Sequence, residues 1–156
     1  MDKVMPELHR GMFATDVQAK SGSTAAELAA MGEGSAIVDV TWIFGGKTGV
    51  QAQVVTYSAT MRAVTGMTVT AAPEAAGRRI RVNAVAPGAV TDTQFMRPIM
   101  GRDPSAGETR SFGPLHALGR TRSAREVDRA ILLPAPDDAS FVTGEIVKVD
   151  GRFLNG

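Results

Sequence analysis

The sequence predicts an α/β fold, a parallel sheet of about three strands with flanking helices. Three observations carry this. Short apolar, β-branched runs fall near residues 36–42, 79–86 and 145–149. The runs end close to turn signals, Gly45-Gly46, Pro87-Gly88 and Asp150-Gly151. Such runs suit strands covered on both faces, as in a parallel sheet. The order is helix, strand, helix, strand, loop, helix, strand, the alternation of strands joined by crossover helices.

The first helix is expected over about 2–20, with Asp2 as N-cap and Pro6 near enough to the first turn to be tolerated. Val4, Leu8, Met12 and Phe13 fall roughly on one face, and Gly11 among them points to close packing. Ser21–Thr24 reads as a small-residue break, and Ala25–Met31 as a further helical turn or the tail of the first helix. The strand from Ala36 follows, then a loop over Gly45–Gly49. A second helix spans about 57–76, where Tyr57 and Met61 share a face. Pro73 should kink it or end its regular part. Gly77 reads as the left-handed exit, with Arg78 and Arg79 at the negative pole of that helix.

After the strand at 79–86, periodicity is lost over 89–122 apart from a short helical piece near 94–100. Irregular segments of that length are usually functional or disordered. Ser123 and Glu126 have capping-box spacing and open a helix over 124–133, stopped by Pro134. The last strand follows a turn at Asp137-Asp138.

The 156 residues fit a single domain, 1–156. A formal charge of +1 implies no nucleic-acid partner. No apolar run approaches ~18 residues, so no membrane span is expected. Cysteine is absent, which removes thiolate chemistry and fits a cytoplasmic location. Neither His9 nor His116 has metal-ligand spacing, so no metal site is expected.

Five runs resemble the short-chain dehydrogenase/reductase family, in particular its 3-oxoacyl-carrier-protein reductase type. They are DKVMPELHRGMF from Asp2, GSAIVDVTWIFG from Gly34, YSATM from Tyr57, IRVNAVAPG from Ile80 and DDASFVTGEIVKVDG from Asp137. The resemblance implies a Rossmann-like sheet and hydride transfer between NAD or NADP and a carbonyl or alcohol. It covers only the C-terminal half of the family domain, so the expected sheet is a truncated one. The family's glycine-rich phosphate turn is absent here. Gly45-Gly46-Lys47-Thr48-Gly49 fits neither the dinucleotide fingerprint nor the phosphate-loop pattern.

The resemblance also implies a catalytic Asn, Ser, Tyr and Lys. Aligned on the motifs, these positions hold Leu8, Trp42, Tyr57 and Met61. The loop before Tyr57 leaves Thr41 as an alternative to Trp42. Tyr57 alone is retained, and Met61 cannot lower its pKa as a lysine would. Lys47 is a candidate replacement cation; a solvated loop lysine is the plainer reading. Pro87, Gly88, Thr91 and Thr93 match the family's cofactor-contacting segment. Asn83 matches a structural residue, and His116 lies in the segment that covers the family's substrate. The methionines at 61, 67, 96 and 100 read as core or as an adaptable apolar pocket.

These departures imply a chain of oxidoreductase descent that is inactive by itself and does not bind NAD or NADP alone. Two alternatives stand beside this reading: a non-catalytic oligomerisation or binding module, and a pocket turned to non-redox acid/base chemistry with Tyr57. The resemblance further implies a homo-oligomer through the helices at 2–20 and 57–76. One sheet face and one strand edge would then lack their usual cover.

Overall fold

The computed structural model describes residues 6–43, 55–88, 90 and 113–153. Asp2, the 45–49 loop, the helical piece at 94–100, and Thr91 and Thr93 lie outside them. Pro6–Met12 (α1), Phe13–Ala19 and Lys20–Ala30 (α2) form one helix without a break. The middle segment, Phe13–Ala19, is π-helical. The expected break at Ser21–Thr24 does not occur, and Ser23 Oγ donates to Lys20 O at 3.0 Å within the same turn. Among the described residues, nothing lies within 4 Å of where a Cβ on Gly11 would sit, so no close contact within the protomer is seen at that glycine. Phe13 is 45% exposed.

Ala36–Val40 (β1), Arg81–Pro87 (β2) and Ile146–Val149 (β3) form a parallel sheet in the order β1-β2-β3. Val55–Ala76 (α3) joins β1 to β2, and Ala124–Ile131 (α4) lies between β2 and β3. Ile37 and Val82 pack with Ala71, Ala72 and Ala75 of α3 on one face. Val85 packs with Val127 and Ala130 of α4 on the other. Val40, on the α4 side of β1, remains 52% exposed.

α3 runs through Pro73 to Ala76. Its exit is not at Gly77. Ile80 N–H donates to Ala75 O and Arg79 N–H to Ala76 O, while Arg79 takes the left-handed conformation at φ 54°. This is the Schellman arrangement, with Ile80 and Ala75 in the same apolar cluster. Arg78 does not serve its own helix; its guanidinium donates to Leu28 O and Met31 O at the end of α2. Arg81, buried, likewise donates to Pro134 O, and to Ala135 O at 2.7 Å, just beyond α4. Arg78 therefore meets a carbonyl that the end of α2 leaves without an intrahelical donor, and Arg81 ties down carbonyls of the turn after α4.

The capping box at Ser123 is present. Glu126 N–H donates to Ser123 Oγ, and Ser123 N–H to Glu126 Oε2. Asn83, fully buried in β2, pairs main-chain groups, with Nδ2 donating to Val142 O and Oδ1 accepting from Glu145 N–H. Of the irregular stretch, 113–122 contains a short 3-10 turn at Gly113–Leu115 and two isolated bridges, Val90 to Arg122 and His116 to Phe153. No described helix is long and apolar enough to cross a membrane.

Candidate functional site

β1 ends just before Thr41 and Trp42, and α3 begins just before Tyr57, so Trp42 and Tyr57, aligned above only by resemblance, meet. The Trp42 and Tyr57 rings lie 4.9 Å apart between centroids, tilted at 54°. Thr41 turns the other way. Its hydroxyl donates to Met61 O at 2.8 Å and lies 3.2 Å from Thr65 Oγ1. Met61, one turn along α3 from Tyr57, is buried. Leu8 lies on α1. Its neighbour His9 places Nε2 3.1 Å from Thr56 Oγ1, beside Tyr57 in the chain.

Asp16, on the π-helical segment, accepts a hydrogen bond from Thr60 at 2.7 Å. The Tyr57 phenol is pushed up to about 12, first by burial and then by the Asp16 carboxylate. Both causes disfavour the phenolate. A phenol so placed is a neutral hydrogen-bonding group and a poor proton carrier near neutral pH. Asp16 was not legible as part of this site. His9 and Asp16 stand seven apart, but with Phe13–Ala19 π-helical the α-helical two-turn spacing does not by itself place both against α3.

Tyr57 is the single tyrosine of the chain, so its ionisation can be read directly. Phenolate absorbance in the folded protein should rise with a midpoint about 12, above the ordinary 10.0. The folded state then holds a proton that the unfolded chain releases. Stability from this group is intact below 10 and declines as pH rises from 10 towards 12. A folded-state midpoint at or below the ordinary value would contradict this environment.

Pro87 closes β2, and Gly88 follows it. The Gly88 amide donates to Val149 O at 3.2 Å, and its carbonyl accepts from Arg122. Both polar groups of Gly88 are thus committed within the protein, and Pro87 has no N–H to offer. A Cβ on Gly88 would lie 3.0 Å from Arg122 Nη1 and 3.2 Å from Ile43 Cδ1. Arg122 cannot easily retreat, because it also donates to Val149 O. Gly88→Ala should therefore cost about 1–3 kcal/mol through overpacking, visible as a lower denaturant midpoint. An unchanged midpoint would mean that the Arg122 contact yields freely.

Thr91, Thr93, Lys47, Met96 and Met100 fall outside the described residues. His116 is buried and packs edge-on against Phe153, ring centroids 5.1 Å apart. Among the described residues, no group of three or more His, Asp or Glu is placed to hold a metal.

A family model described as Enoyl-(Acyl carrier protein) reductase matches residues 7–153. The 3-oxoacyl-(acyl-carrier-protein) reductase FabG of Thermotoga maritima is 39% identical over 98 residues, 63% of this chain and 37% of that protein. The short-chain dehydrogenase/reductase ABA4 of Pyricularia oryzae is 35% identical over 131 residues, 83% of this chain and 46% of that protein. The chain thus spans less than half the length of these curated relatives. Among solved structures, the angucycline C-6 ketoreductase LanV with bound NADP superposes with a TM-score of 0.85 at 23% identity. That match covers 99% of this chain and 57% of LanV.

Proposed function

Because the chain belongs to the short-chain dehydrogenase/reductase family, we propose that it is an oxidoreductase scaffold whose Tyr57 no longer transfers protons, so that this chain by itself is inactive. The observation that carries this is the Tyr57 environment. The ring lies tilted against Trp42, its phenol is pushed up to about 12, and the residue one turn along is Met61. A catalytic phenol needs the opposite bias, an adjacent positive charge that brings its pKa towards the working pH.

NADP is bound by LanV, and NAD or NADP is the cofactor class to test. The described residues do not favour it. Gly88 has spent its amide and carbonyl on Val149 and Arg122. Calorimetric titration of this chain with NADH and NADPH should show dissociation constants weaker than micromolar. Reduction of a β-ketoacyl substrate should be absent in wild type and in Tyr57→Phe alike. Micromolar cofactor binding, or activity that Tyr57→Phe removes, would refute the inactive reading.

A second reading, an oligomerisation module, is favoured by α3. Ala59, Gly66 and Thr70 are exposed in the protomer, as are Val55 and Val69, with Ala63 half-buried among them. Small residues at that spacing let helices approach closely, and a two-fold contact uses one patch twice. A homodimer or larger is proposed at micromolar concentration, through α3 and the helix beginning at α1. Gly66→Glu meets no atom within 4 Å of its Cβ in the protomer, so the fold should survive while association is lost. Sedimentation of wild type as a folded monomer would remove this reading.

A further inference from the structure

We propose that the π-helical segment Phe13–Ala19 absorbs one surplus residue in the first helix, and that this surplus turns Asp16 onto α3, so that a carboxylate faces Tyr57. The segment would act this way whether or not Tyr57 transfers protons. A π-type ring, closed from i to i+5, holds one residue more than an α-helical ring. Such wide turns are rare inside helices and are mostly single. This one begins directly after Met12 and ends at Lys20, where α2 takes over.

His9, Phe13, Asp16 and Lys20 are spaced i, i+4, i+7 and i+11. On an unbroken α-helix all four would share one face. Three of them do reach inward. His9 Nε2 is 3.1 Å from Thr56 Oγ1, Asp16 accepts from Thr60 at 2.7 Å, and Lys20 Nζ is 2.6 Å from Asp39 Oδ1. Phe13, the apolar member of the four, is 45% exposed. The phase of the helix is therefore broken between His9 and Lys20. One residue of α-helix turns through about 100°, so a surplus residue rotates α1 by about that angle against α2. Each half then docks through partners of its own: His9 on Thr56 before the wide turn, and Lys20 on Asp39 after it. Arg78 holds the far end of α2 through Leu28 O and Met31 O.

The same wide turn decides where Asp16 points. Four residues of α-helix pass a full turn, whereas four residues of a π path fall short of one. Asp16, four before Lys20, is aimed differently on the two paths, and it is on the π path that it meets Thr60. There its charge adds to burial in pushing the Tyr57 phenol up to about 12. Thr60 has a second acceptor, Tyr57 O at 3.0 Å, so its buried hydroxyl does not depend on Asp16. The titratable neighbours along this face have other partners, His9 at Thr56 and Lys20 at Asp39 and Glu27.

The test removes the surplus. Deletion of Ala14, an exposed residue within the segment, should restore an α-helical path while α1 and α2 keep their docking. Its denaturant midpoint should match or exceed that of wild type. Deletion of Ser21, also exposed but within α2, puts Lys20 out of phase with the end of α2 and should lower that midpoint. The phenol midpoint, read from the absorbance of the single tyrosine, should fall below the wild-type value when Ala14 is deleted. The fall should equal that in Asp16→Asn, with burial sustaining the rest of the shift. An unchanged phenol midpoint in the Ala14 deletion or in Asp16→Asn would overturn the proposal. So would an Ala14 deletion that loses as much stability as the Ser21 deletion, or more.

Discussion

Lys20→Met should lower the unfolding free energy at neutral pH by about 3–5 kcal/mol, the usual cost of removing one partner from a buried ion pair. Asp39 lies in β1 on the face that α3 covers, and its side chain is only 2% exposed. Lys20 Nζ stands 2.6 Å from Asp39 Oδ1, and Thr68 donates to Oδ2 at 2.7 Å. Lys20 also reaches Glu27 at 3.5 Å, along the same helix. Methionine matches the stem of lysine but carries no charge, so Asp39 would lose its charged partner and keep the neutral Thr68 donor. The double variant Lys20→Met with Asp39→Leu should recover most of the loss, because neither charge then remains to be desolvated. Urea unfolding of the four proteins gives the coupling energy directly. A loss below about 1 kcal/mol for Lys20→Met would show that solvent reaches Asp39 and that the pair is a surface contact in its energetics.

Asn83→Leu should cost about 3 kcal/mol, from two groups stranded at once. The Asn83 amide bridges Val142 O at 2.9 Å and Glu145 N–H at 3.0 Å. Asn83 is 0% exposed, so leucine in its place brings no group that could replace either bond. Each unsatisfied buried group costs roughly 1–3 kcal/mol. The damage should be local first, because the bridged residues form the approach to β3. Amide exchange at Glu145 should therefore accelerate by more than exchange in the middle of α3. Equal acceleration at both places would mean that this bridge opens only with the whole molecule.

The sheet was legible because its strands are short apolar runs with turn residues beyond them. Ala36–Val40, Arg81–Pro87 and Ile146–Val149 lie within two residues of the expected ends. The Ser123 cap was legible for a different reason: both of its bonds are made within four residues of chain. The continuous helix to Ala30 was not. Small polar residues at Ser21–Thr24 resemble a break, and long-range partners, Asp39 for Lys20, Arg78 for the helix end and the apolar cluster for Leu28, hold the segment in place. Gly77 misled in the same way. Glycine prefers the left-handed exit position, yet placing Ile80 against Ala75 moved that position to Arg79.

For the candidate site, motif spacing located Tyr57, Trp42 and Met61 along the chain. It could not show the tilt of Trp42 onto Tyr57 or the arrival of Asp16 from a π-helical turn, since both depend on how two helices and a strand end meet. The pairing of Asp39, the lone carboxylate in an apolar strand, was not legible either, because its partner Lys20 comes from a separate helix.

The junction from Ala76 to Arg81 has a consequence for how the chain opens. Arg78 reaches residues 50 and 47 positions earlier, and Arg81 residues 53 to 55 positions later. Contacts of such sequence separation are gained late in folding relative to local turns, because long loops must close before they form. The end of α2 and the turn after α4 never touch through these bonds, yet both are fastened to the same few residues. An opening that frees Ile80 from Ala75 would release both together, so the two distant ends should exchange their amides with one shared free energy, as a single cooperative unit rather than two frayed termini.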